Sequence, residues 1–412
     1  MYTELVELSG HIIDSLVLTR AMDEIIAGNG DYVIEEIRIG VQKDDPSYAR
    51  LRVRAEREED LTRIVQNLRR LGAILPLEND ARLVPAPADG VFPEGFYATT
   101  NLVTYVRHNG RWIKVENAEM DCGLVVDEEA GTARAVRVGN VRRGQLVVVG
   151  HEGVQVIPLE RARHREIFEF MSSAVSSEKP KQVLIGEIAQ EMREIRQRGG
   201  RIIFVCGPAL VHTGAAKYLA ALAEAGYVQC VFGGNALAAH DIEAALFGTS
   251  LGVNLESGVP AARGHEHHLR AINTIRACGS IKAAVEAGVL REGLMYTLTR
   301  KGIPYVLAGS IRDDGPLPEV LTDLREAQNA MRAQLAGVEM VVAVATMLHA
   351  IATGNMLPAA VKFICVDINP AVVTKLADRG SFQTVGIVTD VESFMRELCR
   401  ALGLWRKPSS VC

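Results

Sequence analysis

The sequence lacks most of the short signatures that announce a function. Its seven cysteines are scattered with no CxxC, and Cys206 and Cys365 lie inside apolar runs, where cysteine behaves as a small hydrophobe. Reduced thiols in a cytoplasmic protein are the expectation. No apolar stretch reaches the roughly 18 residues that a membrane helix needs. The start, MYTELVELSGH, has neither a basic segment nor a long apolar run, so no signal peptide is expected. Lys+Arg 45 against Asp+Glu 50 gives a net charge of −5, which argues against a nucleic-acid partner. There is no HExxH, so the zincin pattern is excluded, and no GxGxxG, the usual dinucleotide fingerprint. Internal repeats and low-complexity tracts are also missing.

What is present argues for several domains. A length of 412 residues fits two or three, and 48% hydrophobic residues supply ample core material. Residues 1–84 mix strand-like and helix-like segments and predict a small α+β domain. There, ARLRVRAE alternates apolar and polar residues, the period of a half-exposed strand. Leu61, Ile64, Val65, Leu68 and Leu71 make one face of an amphipathic helix. Residues 85–160 predict a small all-β, barrel-like domain. It begins in a Pro- and Gly-rich stretch, residues 84–96, that reads as a linker. Asn109-Gly110 between two strand-like runs is a strong hairpin signal. From 161 to 412, helices alternate with apolar strands, the rhythm of an α/β fold with a doubly wound, Rossmann-like parallel sheet.

The candidate functional residues sit where those apolar runs end. Ligands of open α/β sheets bind outside the carboxyl ends of the strands. VVAVAT ends at Thr346, followed by Met347, Leu348 and His349; KFICVDIN ends in Asp367 and Asn369; VGIV leads to Thr389 and Asp390. An acid at such a tip is placed to hold a ribose diol, and a lone Asp there otherwise caps the next helix. Gly233, Gly234, Asn235 and Ala236 follow another strand, with Asn235 read as helix N-cap, ligand contact or both. Cys206-Gly207-Pro208 precedes a helix whose N-terminus suits phosphate, or is an ordinary turn. Asp313 and Asp314 would hold an amine or a ribose hydroxyl, or merely make a turn. His265, Glu266, His267 and His268 form a run of ionisable groups with no evident third metal ligand. Together these residues imply a nucleotide cofactor bound without the glycine fingerprint.

Residues 10–14 (GHIID) and 89–101 (DGVFPEGFYATTN), with GGNALAAHDIE, GHEHHLRAIN, GSIRDDGPLP, ATMLHAIATGNMLP and VDINPAVVTKL, resemble one group over nearly the whole chain. It is the LOR/SDH-like family, which includes archaeal-type ornithine cyclodeaminases and the C-terminal module of cyanobacterial arginine dihydrolase/ornithine cyclodeaminase fusions. The resemblance implies an NAD cofactor near Asn235, Ala236, Asp313 or Asp314, Thr346, Met347, Leu348, His349, Asp367 and Asp390. It implies L-ornithine as substrate, converted to L-proline and ammonia by hydride transfer to NAD⁺ and back. His265, Glu266 and His268 are then the candidate base and amine contacts. Arg263 or Lys217 would anchor the carboxylate, and Glu119 and Asp121 are weaker candidates. A homo-oligomer with no membrane partner is expected. The competing readings are an amino-acid dehydrogenase of the saccharopine type, an NAD- or amino-acid-sensing regulator, and a metalloenzyme built on His265–His268.

Overall fold

The computed structural model describes all residues except 11, 14–15, 41–44, 74, 76–78, 158–180, 256–258, 260, 262–263, 314, 379–383 and 406–412. Asp314 and Arg263 therefore lie outside the described residues, as does the side chain of His265. The chain forms two compact units, residues 1–169 with 355–360, and residues 170–354 with 361–412.

In the first unit, β1 (Tyr2–Gly10), β2 (Gly30–Arg38) and β3 (Ser47–Ala55) form an antiparallel sheet in the order β1-β3-β2. Burial alternates along the whole of central β3, as the period-two sequence pattern requires. Helices α1 (Val17–Ala27) and α2 (Glu58–Arg70) pack on this sheet. Leu61, Ile64 and Leu68 of α2 are buried in the shared core, and Val65 and Leu71 are half-buried against it. One stripe of the helix is thus dry, as its spacing predicted.

The second sheet of this unit joins β4 (Arg82–Pro85), β5 (Val103–His108), β6 (Arg111–Glu116), β7 (Gly123–Asp127), β8 (Thr132–Val136), β9 (Leu146–Val149) and β10 (Val154–Ile157). Their order is β10-β5-β6-β8-β7-β9-β4, antiparallel except for a short β6–β8 pairing. Asn109 (φ 51°) and Gly110 (φ 73°) turn β5 into β6, the double positive φ that selects Asn-Gly. Ala81, just before β4, donates its N–H to Arg107 of β5 at 2.8 Å, curling the sheet toward a barrel. The linker expectation for residues 84–96 is corrected here. Ala86 donates to Gln145 (2.8 Å), Gly90 to Val141 (2.9 Å) and Tyr97 to Val148 (2.9 Å). This irregular backbone satisfies its N–H groups on the sheet rather than in water.

The second unit is built on β11 (Arg201–Cys206), β12 (Cys230–Gly234), β15 (Tyr305–Ala308), β16 (Val320–Leu321), β17 (Val338–Val344), β18 (Lys362–Asp367) and β19 (Thr384–Val388). All pairings are parallel, in the order β16-β15-β12-β11-β17-β18-β19. Apart from edge strand β16, this is the 3-2-1-4-5-6 order of the doubly wound dinucleotide fold. Val341, Val342, Ala343 and Val344 are successive and all buried, because helices cover both faces of a parallel sheet. The helices are α3 (Lys181–Gln197), α4 (Ala209–His212), α5 (Ala216–Glu224), α6 (Asn235–Phe247), α7 (His267–Cys278), α8 (Ile281–Glu286), α9 (Leu294–Lys301), α10 (Leu324–Ala333), α11 (Leu348–Met356), α12 (Pro370–Asp378) and α13 (Val391–Ala401). A small hairpin, β13 (Thr249–Ser250) with β14 (Val253–Asn254), follows α6.

Helix α6 is tied to α9 by a buried acid. Asp241 accepts the N–H groups of Leu294 (3.0 Å) and Met295 (2.7 Å), two donors that α9 cannot satisfy itself. Burial pushes its carboxyl up to about 6 against the pull of those two bonds. The proton is held more tightly in the folded chain than in the unfolded one. The stabilising contribution is therefore complete below pH 3.8 and is lost as pH rises through about 6. That interval corresponds to about 3 kcal/mol. Asp241→Ala is expected to lower stability at pH 5 by about 2–4 kcal/mol and to flatten the slope between pH 4 and 6, read by urea unfolding across that range.

Candidate functional site

The strand order puts a switch point between β11 and β17, where an open α/β sheet offers a crevice at its carboxyl edge. The two strand ends nearly touch there. Gly207 donates its N–H to Val344 O at 3.0 Å, and a Cβ on Gly207 would stand 1.8 Å from the Ala345 carbonyl oxygen. Only glycine permits that approach. Ala345 has φ +51°, a left-handed conformation that a residue with a Cβ adopts at a cost of about 1–2 kcal/mol. Thr346 and His349 are half-buried, and Met347 and Leu348 are exposed. Burial holds the His349 imidazole below its usual range, so the ring is neutral at pH 7. A Cβ on Gly234, at the tip of β12, would lie 3.3 Å from His349 Cε1, so the tips of β12 and β17 also meet. Leu348 (74% exposed), Ile368 (73%) and Ile311 (107%) present apolar side chains after β17, β18 and β15.

The remaining candidates divide by what already holds them. Asn235 is the first residue of α6 rather than its N-cap, which is Gly234. Its side chain is buried and accepts the Leu317 N–H at 3.0 Å, pinning the loop before β16. The N-cap reading fails because the helix starts one residue earlier than the side-chain chemistry suggested. Ala236 is half-buried in the same first turn. Asp313 closes a turn by accepting the Ser310 N–H at 2.8 Å. Asp367 Oδ1 accepts the Asn369 N–H (2.8 Å), Asn369 Oδ1 the Ala371 N–H (3.0 Å), and Asp390 Oδ1 the Ser393 N–H (2.9 Å). The two acids at the β18 and β19 tips thus use one oxygen each to cap backbone. Glu266 pairs with Arg270 (2.6 Å) in the first turn of α7. Lys217 Nζ lies 5.2 Å from the centre of the Tyr218 ring. Among the described residues, no group of three His, Cys, Asp or Glu has metal-holding geometry.

The fold also gathers residues that sequence reading missed. His212 ends α4, which follows β11, and its ring centre is 4.8 Å from that of His240 on α6. His240 in turn lies 6.2 Å from His268 at the start of α7. Glu243, fully buried one turn after His240, accepts from His240 Nδ1 at 2.8 Å. The i,i+3 pair His240/Glu243 was visible in GGNALAAHDIE, but its partners come from three other segments.

This architecture has relatives. Residues 186–398 match the family described as arginine dihydrolase ArgZ-like, C-terminal, Rossmann fold, and 103–185 match its first region. Residues 3–102 match the LOR/SDH bifunctional enzyme conserved region. The chain belongs to the ArgZ-like C-terminal family. A family relative named ornithine cyclodeaminase, from Methanothermobacter thermautotrophicus, is 54% identical over 96% of this chain and 96% of its own length. The crystal structure of a conserved LOR/SDH protein from Methanococcus maripaludis is 50% identical, with TM-score 0.75, covering 79% of this chain and 98% of that one. The bifunctional arginine dihydrolase/ornithine cyclodeaminase AgrE of Nostoc sp. is 43% identical over 98% of this chain, which spans 59% of it. AgrE solved as a ternary complex with ornithine and NAD⁺ matches with TM-score 0.53, covering 98% of this chain and 57% of AgrE. The resemblance read from the motifs is therefore confirmed at the level of the ArgZ-like family, as is the Rossmann-like parallel sheet. Among the described residues, no helix is long and apolar enough to cross a membrane.

Proposed function

We propose that this chain is an NAD-dependent ornithine cyclodeaminase, an ammonia-lyase that converts L-ornithine to L-proline and ammonia. The observation that carries the proposal is the switch-point crevice of an ArgZ-like Rossmann sheet, in a chain 43% identical to a protein solved with ornithine and NAD⁺. The residues fit a dinucleotide. Gly207 lets backbone close on the crevice, exposed apolar side chains rim it, and Asp367 keeps Oδ2 clear of protein donors among the described residues. When bound, NAD supplies a reversible two-electron acceptor for the substrate α-carbon. In this reading Asp367 holds a ribose hydroxyl. Asp390, Asn369, Asn235, Ala236 and Asp313 shape the rest of the rim, with Asp314 assigned there from sequence. Thr346, Met347, Leu348 and neutral His349 line the wall between β11 and β17. The walls exclude water from an imine that hydrolysis would otherwise consume. His268 and Glu266, with His265 assigned from sequence, are the candidate contacts to the amino groups. The same reading divides the chain at 1–84, 85–160 and 161–412 and makes it a cytoplasmic homo-oligomer, for which light scattering of the purified chain gives the assembly.

The decisive assay follows proline, ammonia and NADH absorbance together, with NAD⁺ and L-ornithine supplied. Proline and ammonia without NADH accumulation is the expected result. Accumulating NADH would make the protein a dehydrogenase, and silence in all three channels would overturn the ornithine assignment. Asp367→Ala is expected to weaken NAD binding roughly 10–100-fold, about 1.5–3 kcal/mol. Titration of cofactor by calorimetry reads this directly, and unchanged affinity would remove Asp367 from the site.

A further inference from the structure

Glu243 accepts four hydrogen bonds among the described residues, and these bonds fix protons on its neighbours. Its Oε1 accepts from Thr249 Oγ1 (2.9 Å) and the Gly252 N–H (3.0 Å); its Oε2 accepts from His240 Nδ1 (2.8 Å) and the Leu251 N–H (3.2 Å). Burial opposes its ionisation, but His240, the Gly252 N–H and Thr249 hold its carboxyl below the usual glutamate range. An ionised carboxylate only accepts, so every partner must donate. Thr249 has a single hydroxyl proton and gives it to Glu243. The 2.9 Å contact between Thr249 Oγ1 and His267 Nδ1 must then be donated by the imidazole. His240 and His267 therefore both donate from Nδ1, and a ring carrying that one proton has its acceptor lone pair on Nε2.

His240 sits among the residues that follow the β11 and β12 tips. Among the described residues, the titratable groups facing it are His212 from α4, Glu243 from its own helix and His268 from α7. His212 is braced in turn by Ser250, with Nδ1 2.6 Å from Oγ. An anchor for the Leu251 and Gly252 backbone needs the carboxylate but not three grouped imidazoles. Carboxylate-to-Nδ1, with Nε2 turned to the reaction, is the arrangement that fixes the base in hydrolytic triads.

We propose that His240 is the base that takes the proton from the ammonium group of the amino-acid substrate through Nε2, with Glu243, Thr249 and His267 as positioning residues. The proton passes from the ammonium nitrogen to His240, leaving a free amine and an imidazolium balanced by Glu243. The proposal rests on the cyclodeaminase reading and assigns the base to His240 in place of His265, Glu266 or His268.

The test has two parts. In the ¹⁵N-histidine-labelled full chain, without substrate, long-range proton–nitrogen spectra should show His240 and His267 as Nδ1–H tautomers. An Nε2–H tautomer at His240 would overturn the proposal. With NAD⁺ and L-ornithine, His240→Ala should lose about 10²–10⁴-fold in kcat, bind NAD as the parent does, and recover activity when imidazole is added. A retained kcat, or a loss that imidazole does not restore, would also overturn it. Thr249→Val, a milder change, should lower kcat about 5-fold and shift the His267 signals, which covers the case in which His240→Ala does not fold. A parent chain with no ornithine turnover would sink the function and with it the role of base, while the tautomers would still decide the Glu243–His240 pairing, so the two failures are told apart.

Discussion

Gly207→Ala is expected to lower stability by about 3 kcal/mol or more and to abolish measurable NAD binding. The new Cβ would stand 1.8 Å from the Ala345 carbonyl oxygen and 2.7 Å from its carbonyl carbon. Both are backbone atoms, so no side-chain rotation relieves the clash. The backbone of Ala345 is itself already left-handed at φ +51°, and the Gly207–Val344 hydrogen bond holds the strand ends together. Relief requires β11 and β17 to part at their carboxyl ends, which deforms the crevice where the cofactor is placed. Urea unfolding and cofactor titration on one preparation check this. A variant that stays folded with parental NAD affinity would move the cofactor away from the switch point.

Glu243→Ala carries the second large effect. It removes the acceptor from two backbone N–H groups, the Thr249 hydroxyl and the His240 ring, all in one dry pocket. Breaking such a network by deleting one partner costs about 3–5 kcal/mol. The pH signature separates it from Asp241, two residues earlier on the same helix. Because the folded Glu243 carboxyl lies below its ordinary range, its contribution is present above pH 4.5 and is lost as pH falls through the lower folded value. Asp241 acts with the opposite sign, since only two N–H groups offset its burial where Glu243 has four donors. The parent should therefore lose stability toward acid more steeply than Glu243→Ala does, measured by urea midpoints from pH 6 down to pH 3. Parallel pH curves for the two proteins would mean that the fold does not hold the Glu243 carboxyl below its ordinary range, and a reversed difference, with Glu243→Ala losing stability toward acid more steeply, would mean that Glu243 is protonated in the fold and the tautomers inferred from it would fail with it.

How the candidate site divided between sequence and structure follows from contact range. The place of Thr346 to His349, Asp367 and Asp390 at strand ends was legible because a parallel strand buried on both faces writes itself as an uninterrupted apolar run, and its end marks the sheet edge. The run His265–His268 places four ionisable groups next to one another in sequence. Adjacency is a poor guide, since Glu266 turns to Arg270 in the next helical turn while His268 approaches His240. The capping bonds of Asp367, Asn369 and Asp390 were foreseeable as chemistry at helix starts, but the N-cap reading of Asn235 was not correct, because backbone geometry decided where α6 begins.

By itself the sequence determined the α/β class, the barrel-like β region with its Asn-Gly hairpin, the stripe of α2 and the family, because each depends on periodicity, local turn chemistry or long motifs. Only the tertiary structure decided the strand order that creates a switch point, the closure of β11 on β17 at Gly207 and the meeting of His212, His240, Glu243 and Thr249. These join residues from separate segments, and no local pattern encodes which buried strands become neighbours or which side chains share the space between them.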